Sequence, residues 1–133
     1  MILDTSAVVA ILRREPEAQR FSELVERDAE PKMSAASYFE AGIVMDAARD
    51  AVISRQLDQF VRIAQVEVKP VTMEQARLAR EAYRDFGRGS GHPARLNFGD
   101  CFSYALAKDL GEPLLFKGSD FGETDVEWAG LRG

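Results

Sequence analysis

The 133 residues, 46% hydrophobic and 29% charged, suffice for one compact domain and are too few for two ordinary ones, so 1–133 is read as a single domain. The lone cysteine, Cys101, excludes an internal disulfide. No apolar run reaches the roughly 18 residues of a membrane span, and Met1-Ile2-Leu3-Asp4 lacks the basic flank of a signal peptide, so a cytoplasmic protein is expected. A net charge of -5 excludes a uniformly basic nucleic-acid coat, although nine basic residues against six acids put Arg49 to Arg95 at +3 and the rest of the chain at -8.

Met1-Ile2-Leu3 reads as a buried strand ended by Asp4, with Thr5 or Ser6 capping a short helix from Ala7 to about Arg13. Pro16 suits the first turn of a second helix, about Glu17 to Asp28, in which Ala18, Phe21, Leu24 and Val25 keep helical spacing. Pro31 to Ser34 is a short strand. A helix from Ser37 to about Arg49 carries Phe39, Ile43, Val44 and Ala47 on one stripe, and another from about Ile53 to Ala64 carries Leu57, Phe60, Val61 and Ala64.

Val66 to Val71 alternates as a strand does. Thr72, with Gln75 three residues on, opens a helix to about Phe86. Gly87 to Pro93, with three glycines and a proline, is a loop. A helix from about Phe98 to Leu110 buries Phe98, Cys101, Phe102, Ala105 and Leu106, and Gly111 stops it. Pro113 to Phe116 is an apolar strand, and Val126 to Trp128 a short last one. Strands separated by one or two helices predict βαβ organisation, with a parallel sheet covered on both faces.

In such a sheet, ligands bind at the carboxyl ends of the strands. Asp4 follows the first strand, and Asp120 follows the Leu114–Phe116 run. Glu40 and Asp100 fall near the starts of two helices, which begin at that same edge, so the four acids are able to converge. Four crowded carboxylates repel one another unless a cation is present. Oxygen-only ligands favour Mg²⁺ or Mn²⁺, and the chemistry open to such a site is phosphodiester hydrolysis.

Each acid also has a plainer reading. Glu40 completes a capping box with Ser37, Asp100 complements a helix dipole, and Asp120 is a turn acid. Asp4 resists such a reading, because an acid ending a buried strand is costly without a partner.

At these positions the sequence resembles the PIN-domain nucleases, and more closely the VapC-type toxins of bacterial toxin–antitoxin pairs. The resemblance is carried by Ile2-Leu3-Asp4-Thr5-Ser6-Ala7, Met33 to Glu40, Leu96-Asn97-Phe98-Gly99-Asp100-Cys101 and Leu115-Phe116-Lys117-Gly118-Ser119-Asp120-Phe121, in that order. It implies a three-layer α/β/α sandwich with a central, mostly parallel sheet of about five strands, and Mg²⁺- or Mn²⁺-dependent endoribonuclease activity.

By position, the resemblance makes Asp4 and Asp100 metal ligands, Glu40 the third acid and Asp120 the fourth, with Asp125 as the alternative fourth. Thr5, or Ser6, matches the hydroxyl that accompanies the first acid. The partners implied are RNA, a second copy of the chain and an antitoxin, in a dimer or larger assembly. His92 is expected at the surface and Cys101 in the core. Arg88, Arg95 and His92 flank the entry to the Asp100 helix; they read as surface residues, with a grip on phosphate as the alternative. Trp128 and the phenylalanines are expected in the core or at a dimer surface. Two competing readings are a PIN-like module without catalysis and a receiver-like domain phosphorylated at a strand-end aspartate, with Lys117 on the phosphoryl group.

Overall fold

The computed structural model describes residues 1–132, with side chains through residue 130. Four strands, β1 (Ile2–Leu3), β2 (Lys32–Ser34), β3 (Glu67–Lys69) and β4 (Leu114–Leu115), form a parallel sheet in the order β3-β2-β1-β4. Among the described residues six α-helices surround it: α1 (Thr5–Leu12), α2 (Ala18–Arg27), α3 (Ala35–Asp46), α4 (Ala51–Ile63), α5 (Met73–Phe86) and α6 (Phe98–Leu110).

Alternation along the strands builds two cores. Leu3 and Leu115 face one cluster with Val8, Phe21, Val25, Met33 and Leu57. Ile2, Leu114 and Phe116 face the other, with Leu96, Tyr104, Leu106 and Phe121. Consecutive strand residues point to opposite faces, so helices α1 to α4 contribute to one layer and α5 and α6 to the other. The three-layer α/β/α arrangement follows.

Helix ends fall where local chemistry puts them. Asp4, Ser34, Asp50, Thr72 and Asn97 each cap a helix with a side-chain oxygen. Gly111 closes α6 in the left-handed region at φ 67.

Four expectations change. Asp4, and not Thr5 or Ser6, caps α1, which therefore starts at Thr5 instead of Ala7. The fifth strand shrinks to a single bridge between Leu114 and Trp128, so the sheet has four strands among the described residues. The stripe on α3 points outward: Phe39 is 68% exposed and Ile43 56%, and the buried side instead holds Ser37, Ala41 and Met45. Phe98 is 77% exposed because it opens α6 and precedes the turns that pack on the sheet. No helix among the described residues is long and apolar enough to cross a membrane.

Candidate active site

The sheet order reverses between β1 and β4: the chain runs outward from β1 to β2 and β3, then returns to add β4 on the other side. Such a switch point opens a crevice at the carboxyl edge. Asp4 leaves β1 there, tied to the neighbouring strand by its N–H to the Leu115 carbonyl at 3.0 Å. The chain leaving β4 is held to the same spot, because the Lys117 N–H donates to Ser6 Oγ at 2.9 Å.

Asp4 is buried, and its Oδ2 accepts from Ser6 N at 3.0 Å and Ser6 Oγ at 2.7 Å. Its Oδ1 is buried with no hydrogen-bond partner. An ionised oxygen left so is costly unless something electropositive faces it.

Asp100 occupies the first turn of α6 in a reciprocal capping box: Asn97 Oδ1 accepts from Asp100 N at 2.9 Å, and Asp100 Oδ2 accepts from Asn97 N at 3.0 Å. Burial pushes the Asp100 carboxyl up; the Asn97 N–H pulls it back, and the charges of Asp4, Asp120 and Glu40 push it further, to about 6. The three acids that act on Asp100 are the other three predicted from the sequence, so one field joins all four.

Glu40 is not a capping residue. Helix α3 begins earlier than its apolar spacing implies, with Ser34 as its cap, and this moves Glu40 into the second turn. Its carboxylate lies over Gly99: a Cβ at that glycine would stand 2.1 Å from Glu40 Oε2. Helix α6 therefore makes room for the third acid beside the second. Gly99 escaped the sequence reading, although a glycine inside a first helical turn, where it is a poor helix former, is itself a sign of close approach.

Asp120 is exposed in the turn after β4. Asp125, the alternative fourth acid, is engaged elsewhere. It accepts from Tyr104 Oη at 2.6 Å and Lys108 Nζ at 2.9 Å. Partial burial works against its ionisation, but these two bonds outweigh burial and hold its carboxyl below the ordinary range.

The two hydroxyls after Asp4 divide their tasks. Ser6 is the one on the Asp4 carboxylate, whereas Thr5 Oγ1 turns inward and donates to the Ser37 carbonyl at 3.2 Å. Lys117 pairs with Glu15 at 3.0 Å and Glu17 at 3.4 Å, which removes it from the role a receiver-like domain needs.

Cations pair with acids elsewhere, as Lys32 does with Glu112 at 3.0 Å and Lys108 with Asp125 at 2.9 Å. Among the described residues none pairs with Asp4, Glu40, Asp100 or Asp120.

The orphaned Asp4 Oδ1, the cradle at Gly99 and an all-oxygen donor set fit a hard dication. Among the described residues no three His, Cys, Asp or Glu side chains stand together closely enough to hold a metal ion by themselves, so water must bridge the acids to any ion held here. Mg²⁺, which sheds its water reluctantly, suits that arrangement.

The PIN-domain family model matches residues 1–127. The chain is similar to ribonuclease VapC28 of Mycobacterium tuberculosis, with 60% identity over 129 residues covering 97% of each chain. It is also similar to ribonuclease VapC42 of the same species, 51% identical over 126 residues, covering 95% of this chain and 96% of the other. The crystal structure of M. tuberculosis VapC20, described as a sarcin–ricin loop cleaving toxin, superposes with a TM-score of 0.74 at 17% identity, over 94% of this chain and 95% of that one; at that identity the likeness concerns the fold. This chain belongs to the PIN-domain family and stands among its VapC ribonucleases.

Proposed function

We propose that this chain is the endoribonuclease toxin of a toxin–antitoxin pair, and that Asp4, Glu40, Asp100 and Asp120 hold Mg²⁺ or Mn²⁺ at the mouth of the β1–β4 crevice. The observation that carries this reading is the buried, unpartnered Oδ1 of Asp4, within a field of acids that no nearby cation neutralises among the described residues. A bound dication would supply Lewis-acid stabilisation of a phosphodiester and a more acidic water. The protein's part is to hold the ligands. Ser6 fixes the Asp4 carboxylate, the Asn97 N–H orients Asp100, and α3 lays Glu40 over Gly99. Asp120 faces solvent, where a substrate phosphate arrives.

Among the described residues neither the histidine nor the cysteine competes for the chemistry. His92 Nδ1 accepts from Ala94 N at 3.0 Å, and burial pushes the Cys101 thiol to about 11, leaving it inert. RNA as substrate is supported by the ribonuclease names of the relatives. An antitoxin partner is the natural counterpart of such an enzyme. Self-association is supported by the exposed apolar surface at Phe39, Ile43, Val52 and Ile63. A cytoplasmic setting suits a chain whose only cysteine is a buried free thiol.

The test is RNA cleavage by the full chain with Mg²⁺, with Mn²⁺ and with EDTA, alongside Asp4→Ala and Asp100→Ala. Each substitution should lower cleavage by about 10²- to 10³-fold and abolish ion binding in calorimetry, while circular dichroism stays unchanged. Cleavage that persists in EDTA would sink the metal assignment. Ion binding without any cleavage of RNA would make the chain a silent module.

A further inference from the structure

The three acids on α3, α6 and the β1–α1 junction come from segments far apart in sequence, yet a metal site needs their spacing held to a fraction of an ångström. Two buried hydrogen bonds made by side-chain hydroxyls link the elements that carry them. Thr5 Oγ1 donates to the Ser37 carbonyl at 3.2 Å, and Ser37 Oγ stands 2.9 Å from Ser103 Oγ. Thr5 is 8% exposed, Ser37 1% and Ser103 0%. Each is next to an acid along the chain or about one helical turn from it: Thr5 follows Asp4, Ser37 precedes Glu40 by three, and Ser103 follows Asp100 by three. The hydroxyls thus join the same three elements that carry the acids.

Stability does not require the Ser37–Ser103 pair. Replacing both partners of a buried hydrogen bond by apolar groups of similar shape is close to neutral, so an alanine pair would pack the α3–α6 contact about as well. What alanines cannot provide is direction. A hydrogen bond fixes the distance and rotation between two helices within a narrow range, whereas apolar contact lets them slide.

We propose that Thr5, Ser37 and Ser103 form a positioning brace that sets the separation of Asp4, Glu40 and Asp100, and hence the affinity of the site for a divalent ion. The proposal rests on the metal reading of those acids.

The experiment measures Mn²⁺ binding by calorimetry, and thermal unfolding in EDTA, on the full chain and four variants. Thr5→Val removes one hydroxyl at nearly constant shape, Thr5→Ser keeps it, Ser37→Ala/Ser103→Ala removes the buried pair, and Asp4→Asn tests the site itself. The expected result is a Kd for Mn²⁺ raised about tenfold in Thr5→Val and in the double variant, with both still folding cooperatively, and near wild-type affinity in Thr5→Ser. A purely structural role would lower the melting temperature and leave the Kd of the folded protein alone. Either hydroxyl-free protein, folded and binding Mn²⁺ as tightly as wild type, overturns the brace. Wild type failing to bind Mn²⁺, or Asp4→Asn binding it unchanged, would instead overturn the metal reading on which the brace stands.

Discussion

Asp100 shows how one side chain serves two purposes that conflict. Its Oδ2 finishes the cap of α6, a bond that favours the charged form, while burial and three neighbouring acids oppose that form and raise its carboxyl to about 6. A folded-state pKa above the ordinary 3.8 means that the folded chain binds more protons than the unfolded chain as pH falls through about 6. Free of divalent ions, the protein should therefore gain stability from Asp100 as pH drops through about 6 towards 4, and lose it again on return to neutrality. Asp100→Asn keeps an acceptor for the Asn97 N–H and removes the charge. In EDTA at pH 7.5 this variant should be more stable than wild type by about 1 kcal/mol after solvent screening, and the difference should vanish near pH 4. Added Mn²⁺ should reverse the order at pH 7.5 by stabilising only the wild type. Thermal unfolding across that grid decides the matter, and a variant no more stable than wild type at pH 7.5 would refute it.

At the level of elements, the site depends on how closely α3 approaches α6, and Gly99 sets that approach. A methyl group there would stand 2.1 Å from the end of the Glu40 side chain, which is flexible and free to swing aside. Gly99→Ala should therefore leave the helices intact, with stability unchanged or raised by up to about 1 kcal/mol from better helix propensity. Cleavage of RNA should fall roughly 100-fold, the scale of a misplacement near 1 Å. A fully active Gly99→Ala protein would show that Glu40 has no part in the site.

The elements themselves are readable because caps and periodicity act locally. Thr72 and Gly111 mark helix ends by chemistry that needs no tertiary partner. What the sequence hides is set by packing. The direction of α3 is illegible because Phe39 and Ile43 are exposed despite their apolar character. Glu40 resembles a cap only for a helix that starts at Ser37, whereas tertiary packing lets Ser34 start it three residues sooner. Asp4 and Asp100 carry a local mark, since one ends a strand and the other lies in the first turn of a helix, whereas Glu40 in the second turn of α3 and Asp120 in the turn after β4 carry none. Nor is the hydroxyl of Thr5 marked, because nothing local tells it to turn inward to Ser37 while Ser6 turns to Asp4.

Over the whole molecule, an acidic body must receive a polyanion, so the basic residues near the crevice decide whether RNA approaches. The loop between α5 and α6 is fastened at its base, with Arg88 N donating to the Leu96 carbonyl at 3.0 Å and Leu96 N to the Phe86 carbonyl at 2.9 Å. His92 packs edge-on against Phe86, with ring centroids 4.8 Å apart, so the loop is held in one shape beside the start of α6. Within it Arg95 has a φ of 53, the left-handed region that costs a side-chain-bearing residue roughly 1 kcal/mol. Arg14, Arg49 and Gln65 share that conformation, but each follows a helix end, where it closes the helix. Arg95 instead follows the turn at Pro93 and Ala94, and its exposed side chain stands two residues before the Asn97 cap of α6. Arg95→Asn tolerates the left-handed backbone and removes the charge. This variant should unfold at the same or a higher temperature, yet raise KM for RNA several-fold, with kcat little changed. Adding Arg88→Gln should flatten the dependence of log KM on log salt by about 1.4, the change expected when two cations no longer neutralise phosphates of single-stranded RNA. A double variant with the wild-type salt slope would mean that RNA enters over another surface, and the mildly basic stretch from Arg49 to Arg95 would then be only a solvated face.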